Sequence, residues 1–163
     1  MFKYLAGIGA GAGILGMLAF RDIVEDLPKH PSKTYKQRDP SQIDKIVIHH
    51  SAWPDGTPED YAKLHIDTHD WAGIGYHFVI QKSGIIYQTN RISTQSNHVG
   101  EENPYAIGLC LTGNFEEEKP TTIQLTSAKA LVAFLKLRYG IWEVGPHGRY
   151  RNTSCPGRYM PDF

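Results

Sequence analysis

Two short apolar runs constrain the fold of this chain most strongly. They are Lys45–Ser51 (KIVIHHS) and Ala106–Thr112 (AIGLCLT). Runs of this length without polar alternation are typical of buried strands, and the second is apolar almost throughout, which places it at the centre of a sheet. Because the first run ends in two histidines, we expect it to deliver polar side chains to an edge of the sheet where functional sites commonly form.

Two helices are predicted around these strands. Thr57-Pro58-Glu59-Asp60 offers an N-cap, a proline at the first helical position and early acidic residues, so a helix should extend from about Pro58 to Asp70. A second, strongly periodic apolar segment is expected to begin with Thr126 as its cap and to end at Gly140. One face of this second helix must pack on the sheet.

A hairpin is predicted between the two helices, where Tyr76–Gln81 and Ile85–Gln88 flank Lys82-Ser83-Gly84. Strands and helices therefore alternate along the chain. The expected fold class is α/β, a single domain with a central mixed β-sheet flanked by helices and preceded by an N-terminal apolar segment. A chain of 163 residues suits one such domain and is too short for two.

Three parts are expected along the chain: an apolar targeting or membrane segment (residues 1–20), a polar linker (21–42) and the catalytic domain (43–163). No charge occurs from residue 4 to residue 20, which favours an export signal or a weak membrane association through residues 4–20. Five glycines weaken that interpretation, and a poorly ordered glycine-rich terminus is the alternative. The linker is polar and contains three prolines, which break any long helix.

Charge and cysteine content exclude two classes of protein. Seventeen basic residues balance 17 acidic ones, so the chain has no general attraction to nucleic acid, and nucleic acid is not an expected partner. The two cysteines differ in setting, since Cys110 lies in an apolar run and Cys155 lies in a loop beside a proline. A disulfide framework is therefore not indicated.

A metal site is indicated near the end of the chain. His147 and Cys155 are eight positions apart, across a polar loop that can fold both donors onto one ion. A third donor from His49 or His50 would complete a set of two imidazoles and one thiolate, which favours zinc and leaves the fourth coordination position open, as in catalytic sites. Chance occurrence of such a pair in a loop is the alternative.

A second histidine pair, His65 and His69, lies one helical turn apart, as in metalloprotease helices. It lacks the glutamate that such enzymes carry directly after the first histidine. We therefore interpret this pair as a solvated or partly packed helix face.

Several ordered motifs resemble the type 2 N-acetylmuramoyl-L-alanine amidases, a family that includes phage lysozymes of the amidase kind and the peptidoglycan recognition proteins. The resemblance covers roughly residues 43–157, and several blocks in the same order are far more specific than any single motif. The matching blocks are Ile48-His49-His50-Ser51-Ala52, Gly75-Tyr76-His77-Phe78-Val79-Ile80, His98 with Asn103 and Ile107-Gly108, Gly113-Asn114-Phe115, and His147 with Cys155-Pro156-Gly157.

This resemblance implies a ligand set and two catalytic residues. By the family pattern His49, His147 and Cys155 would hold Zn²⁺, whereas His50 is better interpreted as a packed neighbour at the strand end. Tyr76 matches a tyrosine whose hydroxyl faces the reacting water. Thr153 falls where some members carry lysine and others threonine, and it would offer only a hydroxyl donor.

Further positions follow from the same resemblance. His98 and Asn103 would line the groove and contact muramyl or stem-peptide groups, while His77 should point away from Tyr76 by strand alternation. Some members carry a glutamate in the central strand. Here that strand contains Cys110 and has no carboxylate, so the chain resembles the tyrosine branch of the family. Cys110 is interpreted as a small core residue.

The activity implied is zinc-dependent hydrolysis of the amide bond between N-acetylmuramic acid and L-alanine in bacterial peptidoglycan, as in endolysins. The alternative is a peptidoglycan-binding module without catalysis, of which loss of the cysteine ligand would be the mark. An enzyme of this kind would be exported or membrane-associated and act on the cell wall, or wait in a host cytoplasm before lysis. The sequence leaves a phage and a bacterial source both open.

Overall fold

The structure, a computed structural model, describes residues 19–163. A six-stranded mixed sheet forms its centre, in the order β1-β5-β4-β7-β3-β8, and only the β4–β5 pair is antiparallel. A separate two-stranded antiparallel sheet joins β2 and β6. The strands are β1 (Phe20–Asp22), β2 (Lys36–Gln37), β3 (Lys45–His50), β4 (Phe78–Ile80), β5 (Ile86–Gln88), β6 (Thr94–Gln95), β7 (Ala106–Leu111) and β8 (Glu143–Pro146).

The two apolar runs form the central pair of strands, as predicted. β3 and β7 lie parallel, with Lys45 opposite Ala106 and His50 opposite Leu111. All six residues of β7 and the last five of β3 are buried. Because both faces of this pair are covered, the near-continuous apolar pattern of the two runs has a direct structural cause.

Two helices cover the sheet, α1 (Pro58–His69) and α2 (Thr122–Tyr139). α1 begins with the predicted cap, since Thr57 and Asp60 form a reciprocal capping box, and it ends at Asp70 in a left-handed conformation. The predicted start of α2 is wrong. Thr121 rather than Thr126 is its N-cap, and Thr126 donates its hydroxyl to a backbone carbonyl inside the helix.

The hairpin and the C-terminus of α2 depend on glycines in left-handed conformations. Gly84 has φ 81° in the turn between β4 and β5, and Gly140 has φ 68° after α2. Non-glycine residues adopt this region at a cost, so both positions favour glycine. The predicted hairpin and the predicted end of α2 are therefore where the sequence places them.

The segment 21–42 differs from the predicted linker because it packs on the domain. β1 begins at Phe20 and adds a parallel strand to the edge of the sheet at β5. Val24, Leu27 and Arg38 are all buried. These three buried residues are isolated in a polar segment, and no periodic pattern in the sequence predicts their burial.

The remaining part of the predicted N-terminal segment, residues 1–18, lies outside the described residues. Neither helix of residues 19–163 has the length and apolar content of a membrane span.

Apolar side chains form a core on each face of the sheet. The larger core packs α2 against residues such as Ile46, Leu109 and Phe115, and the smaller one packs α1 through Tyr61 and Ala62. Between these layers, the C-terminal ends of the parallel strands open toward the loops that carry the polar residues predicted to be functional.

Candidate metal centre

Three donor side chains converge beyond the end of β3. His49 comes from β3, His147 begins a short 3-10 turn directly after β8, and Cys155 lies in the loop that follows. Their ligand atoms all lie within 4.8 Å of one another, and of residues 19–163 they form the only group of three metal-binding side chains this close. Cys155 Sγ is 3.8 Å from His49 Nδ1.

Strand register explains why these donors meet. β3 and β8 are parallel, and Ile48 lies opposite Pro146, so His49 and His147 each follow a paired residue. The loop after His147 then folds back, because the backbone N–H of Gly148 donates to the carbonyl of Cys155 at 2.9 Å. A Cβ at position 148 would approach the Thr153 carbonyl to 2.8 Å, so this return requires glycine.

The donor set fits a zinc ion. Two imidazoles and one thiol are the soft and borderline donors that zinc prefers, and a three-residue set leaves a coordination position open. Burial lowers the pKa of His49 well below its usual value and that of His147 to about 4, so both rings are neutral, as a metal ligand must be. Burial raises the pKa of Cys155 to about 11, and a cation would oppose this shift.

A cavity of about 390 Å³ surrounds the three donors. Its lining contains six histidines and no carboxylate. The lining residues are His49, His50, Ala52, His65, His69, Trp71, Tyr76, His98, His147, Thr153, Ser154 and Cys155. A larger cavity of about 620 Å³ lies behind the 153–157 loop, but it is lined by only one of the three donors, Cys155.

The two predicted catalytic residues both line this cavity. The ring centroid of Tyr76 is 5.3 Å from that of His49. Burial raises the pKa of Tyr76 well above its usual value, so its hydroxyl remains a hydrogen-bond donor at neutral pH. Thr153 is exposed, and its hydroxyl accepts a hydrogen bond from the backbone N–H of Cys155 at 3.2 Å.

The two residues predicted to contact substrate have different settings. His98 is buried at the cavity wall, and its Nδ1 lies 3.1 Å from Nε2 of His49. The side chain of Asn103 turns into its own loop, where Oδ1 accepts hydrogen bonds from the backbone N–H groups of His98 and Val99. A direct contact of Asn103 with substrate therefore stays a prediction, whereas its role in shaping the loop is visible.

Three neighbouring residues have structural settings. His50 is buried, and its Nδ1 accepts a hydrogen bond from the backbone N–H of Phe115. His77 points into the protein, where its Nδ1 accepts from the N–H of Gly108. Cys110 is completely buried in the core. None of the three lies in the metal-binding group, in agreement with their interpretation as packed residues.

The cavity has an aromatic wall that the sequence analysis does not predict. Trp71 packs against both members of the second histidine pair, with ring centroids 5.0 Å from His65 and 4.8 Å from His69. Nδ1 of His65 accepts a hydrogen bond from the backbone N–H of Gly75, so the His65 ring is held in a packed position. The spacing of the pair indicated a shared helix face, but the position of Trp71 depends on how the chain turns after α1.

The comparison with known families agrees with this geometry. A family model described as N-acetylmuramoyl-L-alanine amidase (Amidase_2) matches residues 39–158, which include all three donors and Tyr76. The chain belongs to this amidase family. The resemblance found in the sequence is thus confirmed.

Relatives of two kinds are similar to this amidase-family chain. Peptidoglycan-recognition protein LB of Drosophila melanogaster is 29% identical over 164 residues, which cover 93% of this chain and 68% of that protein. The N-acetylmuramoyl-L-alanine amidase of Sus scrofa is 26% identical over 126 residues, 69% of this chain but only 21% of that protein. Both names point to peptidoglycan, one by recognition and the other by hydrolysis.

A solved structure extends the likeness to three dimensions. The endolysin N-acetylmuramoyl-L-alanine amidase LysCS from Clostridium intestinale URNW superimposes with a TM-score of 0.73 at 33% identity, covering 83% of this chain and 89% of that one. The predicted α/β fold with a central mixed sheet is therefore confirmed. Family, relatives and fold together support a function directed at peptidoglycan, as an amidase or as a recognition protein.

Proposed function

We propose that this protein is a zinc-dependent amidase that hydrolyses the bond between N-acetylmuramic acid and L-alanine in bacterial peptidoglycan. The observation that carries the proposal is the convergence of His49, His147 and Cys155 in a cavity that Tyr76 also lines. Loss of a donor would favour recognition alone, and this chain has all three.

The three donors would hold the zinc ion through two neutral imidazoles and one thiolate. When bound, zinc supplies a Lewis acid that polarises the amide carbonyl and lowers the pKa of water to about 7. The chain's own contribution is to present the donors from a rigid strand end and to leave one side of the set facing the cavity. His49 and His147 are fixed by the β3–β8 register, whereas Cys155 depends on the loop return at Gly148.

Tyr76 and Thr153 are the proposed catalytic hydroxyls. Hydrolysis of an amide places negative charge on the carbonyl oxygen, and a positioned O–H donor stabilises that charge. Tyr76 remains protonated in its buried setting and can donate throughout the reaction. Thr153 also lines the cavity, beside Cys155, and supplies a second, more exposed donor.

Peptidoglycan is the proposed partner because the relatives named above recognise or hydrolyse it. His98 and Asn103 remain the proposed substrate contacts of the loop beside the cavity. The proposed site of action is the cell wall, with export or membrane association, or storage in a host cytoplasm before lysis. An endolysin-like lytic role rests on the likeness to the Clostridium enzyme.

A direct test measures zinc content and the release of L-alanine amino termini from purified peptidoglycan. Wild-type protein should hold about one zinc ion per chain and release these termini. Cys155→Ser should lose both the bound zinc and the release of amino termini. His30→Asn is the control, since His30 lies outside the cavity. A zinc-loaded wild-type protein that binds peptidoglycan but releases no amino termini would make this a recognition module.

A further inference from the structure

Arg38 is a buried cation that donates hydrogen bonds to four backbone carbonyls between residues 92 and 106. Its Nη2 also lies 2.9 Å from Nε2 of the buried His77 ring. The Arg38 side chain is 7% exposed, and within residues 19–163 it forms no salt bridge with a carboxylate. Nε donates to the carbonyl of Ile92 at 3.0 Å. Nη1 donates to the carbonyls of Asn103 and Ala106, each at 2.7 Å, and of Pro104 at 3.2 Å. A buried charge is costly unless it is fully hydrogen-bonded, so this arrangement ties the two ends of the 92–106 loop together.

His98 lies in the middle of that loop, and its ring is held on several sides. Its Nε2 is 3.4 Å from the Ala106 carbonyl, which Arg38 also binds. The ring packs directly over Gly108 of β7, where an added Cβ would meet the imidazole at 2.8 Å. Asn103 binds the backbone N–H of His98. The ring therefore has little freedom to rotate.

These contacts assign the tautomers of both histidines at the site. A carbonyl only accepts hydrogen bonds, so the proton of His98 is on Nε2, which faces Ala106. Its Nδ1 is then an acceptor, and Nε2 of His49 must donate to it across 3.1 Å. The lone pair of His49 is consequently on Nδ1, the atom that faces Cys155 Sγ at 3.8 Å. This is the tautomer in which His49 can bind a metal beside Cys155.

We propose that His98 is a positioning residue for His49, which it orients and holds in the Nε2-protonated form, and that Arg38 acts through His98 by clamping the 92–106 loop. The proposal rests on the proposed function only in taking His49 as a metal ligand. It gives His98 a role that substrate binding does not require. Partners of this kind behind a metal-binding histidine affect affinity for the metal itself.

Two variants of His98 separate positioning from substrate contact. His98→Phe keeps a ring but loses the acceptor at Nδ1, whereas His98→Asn retains an acceptor oxygen close to that position. Zinc affinity, measured by competition with a chromophoric chelator, should fall about 10- to 100-fold in His98→Phe. In His98→Asn most of that loss should be recovered. Wild-type zinc affinity in His98→Phe would overturn the proposal and leave His98 as a substrate contact.

A second measurement needs no metal. Nitrogen-15 NMR of metal-free protein should show His49 protonated on Nε2 in the wild type and a mixture of tautomers in His98→Phe. Failure of wild-type protein to bind zinc would refute the proposed function, but these spectra would still decide the positioning role. An unchanged His49 tautomer in His98→Phe would overturn it.

The clamp is tested by Arg38→Lys, which keeps the charge but replaces the forked guanidinium with a single ammonium group. We expect this variant to fold, to bind zinc more weakly and to shift the His49 tautomer in the same direction as His98→Phe. Lys82→Met is the control, since Lys82 is a half-buried cation paired with Glu118 and Asp55, which lie outside the 92–106 loop. An equal loss of zinc affinity in Lys82→Met would show that general destabilisation causes the effect, and it would overturn the role of Arg38.

Discussion

The Sγ atom of Cys155 lies 3.8 Å from Nδ1 of His49, although 106 positions separate the two residues in the chain. This contact joins the end of a central strand to a loop that has little regular structure. An ion bound between them would therefore connect a rigid part of the fold to a weakly held one. The stability of the loop, more than that of the sheet, should depend on metal.

Metal removal should lower the stability of the wild-type protein. Zinc at 100 times its dissociation constant would stabilise the folded state by about 2.7 kcal/mol, because the unfolded chain lacks the assembled site. Thermal unfolding followed by circular dichroism, with zinc and with EDTA, measures this difference. His147→Asn should unfold at the same temperature under both conditions, and a zinc-dependent shift in that variant would contradict the assignment of His147 as a ligand.

Tyr76→Phe should separate catalysis from metal binding. The variant removes one hydroxyl but keeps the ring that packs beside His49 and Tyr61. Loss of a donor to the developing oxyanion should reduce kcat about 10²- to 10³-fold, with zinc content unchanged. Kinetics of amino-terminus release and metal analysis of the same sample check both parts. Full activity in Tyr76→Phe would exclude the hydroxyl from the reaction.

The sequence predicts the framework of this site better than its surroundings. β3 and β7 are predicted because uninterrupted apolar residues indicate burial on both faces, and Thr57 marks the start of α1 by its capping chemistry. The sequence does not predict β8, because its four residues, EVGP, have no strand pattern. Its register with β3 nevertheless brings His147 to His49.

The surroundings of the site depend on contacts between distant segments. Arg38 lies in a segment predicted to be a linker, and its four carbonyl partners are 54 to 68 positions away. Likewise, the contact of His98 with His49 requires the packing of a loop over Gly108. Local sequence patterns carry no information about such pairs, so the resemblance to a family indicated that His98 belongs to the site without indicating its partner.

Gly148→Ala should weaken zinc binding through the loop that carries Cys155. The added methyl group would meet the Thr153 carbonyl at 2.8 Å and displace the return of the chain. Gly140→Ala is the matched control, since position 140 has open space around it but a left-handed backbone. Both variants should lose about 1 kcal/mol or more of stability. Only Gly148→Ala should lose zinc affinity in a chelator competition, and equal affinities would refute a steric role for Gly148.

The stability of the metal-free protein should fall as the pH decreases from about 6.5 to 4. Burial lowers the pKa of His65 to about 4, whereas the unfolded chain takes up the same proton near 6.5. Between these values the unfolded state binds more protons, so each pH unit should cost about 1.4 kcal/mol for this residue.

His65→Asn tests this acid sensitivity. The asparagine can keep the hydrogen bond that the backbone N–H of Gly75 donates to Nδ1 of His65, but it does not titrate. Urea denaturation in EDTA at several pH values should therefore give a shallower slope for the variant, by about 1.4 kcal/mol per pH unit. Because His77 and His98 are also buried with lowered pKa values, some slope should remain. Identical slopes in the two proteins would mean that His65 takes up its proton without unfolding.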